Sequence, residues 1–85
     1  MTTPANRERL GRLVIEKRQA RPFGWNQKQL AEKAGINGGY LSLIESGQRS
    51  PSIKTLHKLR HALELTDREF IQWLSLLDED PKAAA

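Results

Sequence analysis

No cysteine occurs among the 85 residues. That excludes a disulfide framework and any thiolate metal site. Aromatic side chains are scarce, with two Trp, one Tyr and two Phe. A core must therefore come mainly from aliphatic residues. Uninterrupted apolar runs reach only a few residues, far short of a membrane-spanning helix. No signal-peptide pattern is visible. Strand alternation, internal repeats and low-complexity segments are also missing. So are a nucleophile–base pair, a glycine-rich phosphate cradle and paired catalytic carboxylates. Neither an enzyme nor a cofactor is expected, and a soluble cytoplasmic protein is.

The length fits one domain, small but sufficient for a helical bundle. Its charge is uneven. Residues 1–65 carry 12 Lys/Arg against 5 Asp/Glu, a net of +7, while residues 66–85 carry 2 against 5. A basic body with an acidic end suits an anionic partner for the body. The plainer alternative is that the basic balance only aids solubility.

The hydrophobic pattern predicts five helices. Residues 1–6 show no periodicity and read as a loose arm. The first helix spans about 6–20, with Leu10, Leu13, Val14 and Lys17 on one face. Arg21-Pro22-Phe23-Gly24 connects it onward, and Phe23 and Trp25 are expected to cover the core edge. The second helix, 26–34, has Asn26 as N-cap, Gln29 completing a capping box, and a Trp25/Leu30 staple. Gly35 stops it. The third, 37–46, is capped by Asn37 and stapled by Ile36 and Leu41, and Gly47 ends it. The fourth starts behind Pro51 with Ser52 as cap, and Ile53, Leu56, Leu59 and Leu63 form its stripe. The fifth runs 66–78, with a Thr66/Glu69 capping box. Residues 79–85 read as a disordered tail, leaving 7–78 as the domain.

Two capped helices joined by so short a turn form a helix-turn-helix. The segments QKQLAEKAGI and YLSLIESG, followed by Pro51-Ser52, carry a more specific likeness. Gln27, Ala31, Gly35, Ile36, Leu41, Ile44, Glu45 and Gly47 together resemble the Cro/cI-type, or Xre-type, DNA-binding domain of phage and bacterial repressors. The likeness covers about residues 10–65. It implies an all-α, five-helix lambda-repressor-like bundle and a nucleoid-associated transcriptional regulator of double-stranded DNA. It also implies an ion pair between Arg18, late in the first helix, and Glu45.

The same likeness sets the second and fourth helix starts against the DNA backbone. Asn26, Gln27, Lys28, Ser52 and Lys54 are the phosphate candidates, although Asn26 and Ser52 are caps whatever else they do. Base readout falls to the third helix and the loop after it: Asn37, Gly38, Gly39, Tyr40, Ser42, Leu43, Gln48 and Arg49. Here the chain departs from the family pattern. Gly38, Gly39 and Leu43 stand where polar side chains are usual. Glycine lets a partner approach the backbone, and Leu43 suits a thymine methyl. Arg7 in the arm could also reach DNA.

On the fifth helix Phe70, Trp73, Leu74 and Leu77 share one face, and Ile71 and Leu76 fall to either side, an arc wider than one small core requires. This excess suggests a homodimer interface at Ile71, Leu74, Leu76 and Leu77. A palindromic operator would follow. Deep docking of this helix in its own domain is the alternative. His57 and His61 have a spacing that can bind zinc, but without cysteine or a third ligand nearby a solvent-facing pair is expected, and no metal. Two other functions stay open: an antitoxin that represses its own operon, with a toxin as protein partner, and a protein-interaction adaptor that reuses the fold. The bare reading face favours the adaptor, and the basic balance favours DNA.

Overall fold

Proline is well placed at the first turn of a helix, where its missing N–H has no intrahelical partner to lose. The chain uses Pro4 in this way. In a computed structural model that describes residues 4–77, α1 runs Pro4–Gln19. The expected arm is thus shorter. Residues 4–6 are helical, and 1–3 lie outside the described residues, as does the 79–85 tail. Arg7 is part of α1, and its Nε donates to the Gly47 carbonyl at 3.1 Å.

The remaining helices are α2 (Gln27–Ala34), α3 (Gly38–Glu45), α4 (Ile53–Leu63) and α5 (Asp67–Leu74). No strand occurs among the described residues. Each start follows from its cap. Asn26, Asn37, Ser52 and Thr66 accept the N–H of Gln29, Tyr40, Thr55 and Glu69 respectively. Reciprocal capping boxes close at Asn26/Gln29 and Thr66/Glu69. Gly35 ends α2 at φ +70°, a left-handed geometry that suits glycine.

Eight side chains are fully buried: Leu10, Val14, Leu30, Leu41, Ile44, Leu56, Leu59 and Leu63. Each contributes roughly 2 kcal/mol relative to an exposed position. They come from α1 to α4, so the core fixes how α2 and α3 are presented. Phe23 and Trp25 pack on its edge, their ring centroids 4.6 Å apart. Gly11 is the tightest point. A Cβ there would lie 2.5 Å from the Glu45 carbonyl oxygen and 2.6 Å from that of Ile44. Only a residue without a side chain lets α1 cross the end of α3 so closely.

Two stripe assignments need correction. Ile53 is 57% exposed, because it occupies the first position of α4, where no neighbouring element reaches it. Helix α5 stops at Leu74 rather than 78, and the chain tightens into i→i−3 turns through Leu76 and Leu77. That turn folds Leu77 into the protein's own core with Phe70 and Trp73. Leu77 therefore leaves the proposed dimer face. Ile71 is exposed, while Leu74 and Leu76 are half-buried.

Candidate nucleic-acid interface

The third helix is held by its C-terminal end. Arg18 donates from Nε to Glu45 Oε2 at 2.8 Å and from Nη2 to Glu45 Oε1 at 2.9 Å. Its remaining nitrogen, Nη1, donates to the Trp25 carbonyl at 3.0 Å. The hydrogen bond to Glu45 raises the Arg18 pKa, outweighing burial, which lowers it. Gln27 Nε2 adds a further donation to Glu45 Oε1 at 3.1 Å. A single carboxylate thus gathers α1, α2 and α3. The Arg18–Glu45 pair was implied by the family resemblance. The role of Gln27 was not, because a glutamine at a helix start gives no sign of its partner.

With its inner side fixed by Leu41, Ile44 and Glu45, α3 turns its other side to solvent. Gly38, Gly39, Ser42 and Leu43 are exposed, as is the cap Asn37. Gln48 and Arg49 follow in a loop folded back onto the helix, their N–H groups donating to the Leu43 carbonyl at 2.9 and 3.2 Å. Both side chains are exposed. Tyr40 is half-buried, and its hydroxyl oxygen accepts the Ser52 N–H at 3.2 Å. This bond ties the start of α3 to the start of α4 and leaves the hydroxyl proton available to donate.

Two further helix starts carry phosphate candidates. Asn26 and Lys28 at α2, and Ser52 and Lys54 at α4, are all exposed. Each cap takes the N–H of the third helical residue, which leaves the first two N–H groups without an intrahelical acceptor. Free N–H groups, the positive end of the helix dipole and an adjacent lysine make a set suited to a phosphate oxygen. Gln27 is half-buried, with its amide turned toward Glu45.

Comparison with known proteins bears on the family and the fold. A family model described as helix-turn-helix matches residues 14–70. The chain belongs to the helix-turn-helix family. An uncharacterised HTH-type transcriptional regulator of Methanothermobacter thermautotrophicus is 36% identical over 58 residues, spanning 68% of this chain and 80% of that protein. Another, from Sinorhizobium fredii, is 33% identical over 54 residues, spanning 64% and 70%. The restriction-modification controller protein C.AhdI from Aeromonas hydrophila superposes with a TM-score of 0.69 at 32% identity, covering 78% of this chain and 97% of its own. A mutant of the controller protein C.Esp1396I gives 0.70 over 94% and 100%, at 24% identity, a likeness of fold. By family, this protein is a DNA-binding regulator of transcription.

Other features were not foreseen. Lys17 Nζ donates to Glu69 Oε2 at 2.7 Å, joining α1 to α5, while Glu69 Oε1 accepts the Thr66 N–H at 2.9 Å. Lys17 first, then the cap N–H, holds the Glu69 pKa below the usual carboxylate value. His57 lies against the Phe70 ring, centroids 5.0 Å apart. Arg60 covers the same ring at 4.5 Å and pairs with Asp67. Among the described residues no group of three His, Cys, Asp or Glu could hold a metal ion, and no helix is long and apolar enough to cross a membrane.

Proposed function

We propose that the protein represses transcription by binding a palindromic double-stranded operator as a two-fold dimer and excluding polymerase. One observation carries this reading. The solvent-facing side of α3 lies in a fold where α2 and α4 each offer a capped start bearing an exposed lysine, Lys28 and Lys54. The arrangement suits a duplex, with phosphates bound at the two helix starts and base edges met by Asn37, Gly38, Gly39, Tyr40, Ser42, Leu43, Gln48 and Arg49. The curated relatives are named as transcriptional regulators, and C.AhdI as a controller of restriction-modification, which supports the same reading. The protein would work where DNA is, in the cytoplasm against the nucleoid.

Dimerisation is assigned to α5 through Ile71, with Leu74 and Leu76 at its margin. Ile71 is 64% exposed. Half-sites would then lie about one helical turn, roughly 34–36 Å, apart. An antitoxin acting on its own operon with a toxin as partner would use the same surface.

Selection of bound duplexes from a random pool, followed by anisotropy titration at fixed salt, tests the reading. A recovered inverted repeat bound much more tightly than random duplex is expected. Affinity no better than for random duplex overturns it. Ile71→Glu should yield a monomer in sedimentation and weaken operator binding. The competing reading, a protein adaptor, draws on the exposure of Leu43 at 36%. It would leave partner affinity intact when Lys28 and Lys54 are reversed in charge.

A further inference from the structure

The chain has six glycines. Four of them have a reason inside the fold. A Cβ on Gly11 would strike the backbone of α3, and Gly24, Gly35 and Gly47 sit at φ +58°, +70° and +81°. Gly38 and Gly39 differ from these four. Both lie within α3, and neither has a left-handed φ. A Cβ on Gly38 would meet nothing within 4 Å, and one on Gly39 would meet only the Asn37 Oδ1 at 3.0 Å. Glycine weakens a helix relative to alanine. The fold therefore gains nothing from glycine at 38, whereas a side chain at 39 would crowd the oxygen that caps α3.

Both glycines stand on the reading side. Gly39 and Leu43 are one turn apart and so neighbours on the helix surface. Leu43 is one of three exposed large apolar residues among the described residues, the others being Ile53 and Ile71. Its carbonyl is held by the N–H groups of Gln48 and Arg49, which fixes the main chain at this position. With no side chain at position 39, the flank of Leu43 is open.

We infer that Leu43 and Gly39 form an apolar slot for the 5-methyl group of a thymine, and that Gly38 and Gly39 are bare so that the base edge can reach it. The inference rests on the DNA-binding reading above and names the chemical group that α3 selects. Thymine is the base that presents a methyl in the major groove. A side chain at 38 or 39 would hold the edge away from Leu43.

The test uses the full chain and the duplex recovered by selection from a random pool. Each thymine is replaced in turn by deoxyuridine, which removes the methyl and keeps every hydrogen-bonding atom. One thymine per half-site should lose about fourfold in affinity, the value of one buried methyl group. Leu43→Ala should bind thymine and deoxyuridine duplexes equally. Gly38→Ala should raise the melting temperature by about 3 °C. It should also bind the selected duplex at least about fivefold more weakly, as overpacking at a close interface does. Random duplex should bind it unchanged.

Three results overturn the slot while leaving the regulator reading intact. They are no sensitive thymine in the wild type, sensitivity that persists in Leu43→Ala, and alanine at 38 without loss of selective affinity. A fall in melting temperature for Gly38→Ala also overturns it, because the fold would then need the glycine. Failure of the wild-type protein to select any sequence removes both readings together.

Discussion

Arg18 and Glu45 meet in a two-point grip, Nε to Oε2 and Nη2 to Oε1, with side chains only 12% and 4% exposed. Removing one partner of such a pair strands the other in a place with little water. Arg18→Ala is expected to lower unfolding stability by about 3 kcal/mol. Urea denaturation followed by circular dichroism measures it. A change below about 0.5 kcal/mol would show that the pair behaves as a surface contact.

Gly11 lies against the main chain at the end of the same helix. The carbonyl oxygens of Ile44 and Glu45 cannot swing aside as a flexible side chain can. Gly11→Ala should therefore destabilise by about 3 kcal/mol, the upper range for overpacking, despite alanine's higher helix propensity. Thermal unfolding reads this out. A stabilised Gly11→Ala protein would contradict the close crossing of α1 and α3.

Lys28 and Lys54 stand at the exposed starts of α2 and α4. Reversing both, Lys28→Glu with Lys54→Glu, should leave the helical spectrum unchanged and abolish binding to duplex DNA. The milder pair, Lys28→Ala with Lys54→Ala, should flatten the plot of log affinity against log salt by roughly two units. An unchanged slope would place the phosphate contacts elsewhere.

Glu69 gives a pH signature. Its folded-state pKa is depressed by Lys17 and by the cap N–H of Thr66. A depressed carboxylate stabilises the fold above its unfolded value, about 4.3, and that contribution is lost as pH falls through the lower folded value. Stability measured from pH 6 down to pH 3, a window of about three units, should fall less steeply in Lys17→Met than in the wild type. Equal slopes would show that the ion pair does not set the shift. The pair is partly exposed, so the difference should shrink in high salt.

Local chemistry was the most legible part of the molecule. Asn26, Asn37, Ser52 and Thr66 cap their helices because short polar side chains reach back to the third N–H, a property of the residue and its neighbours alone. The ends of helices were harder. No glycine or proline marks a stop at Leu74, so apolar periodicity carries on through Leu77 although the chain has turned. Ile53 fits the stripe of α4 but sits before any neighbour can cover it. Tertiary partners were harder still. Lys17 lies on an apolar face by spacing, yet its stem reaches Glu69, which is 52 residues away in sequence. Gly11 went unread in the sequence, because the element it touches is fixed only in three dimensions.

The two sides of α3 answer to different demands. Leu41, Ile44 and Glu45 hold the helix, whereas Gly38, Gly39, Ser42 and Leu43 touch little of their own protein. On the proposed DNA-binding role of α3, specificity can therefore drift without loss of fold. A lineage carrying this scaffold would then be free to acquire new target sequences by single outer substitutions, while the inner three residues would hold its docking angle steady from one descendant to the next.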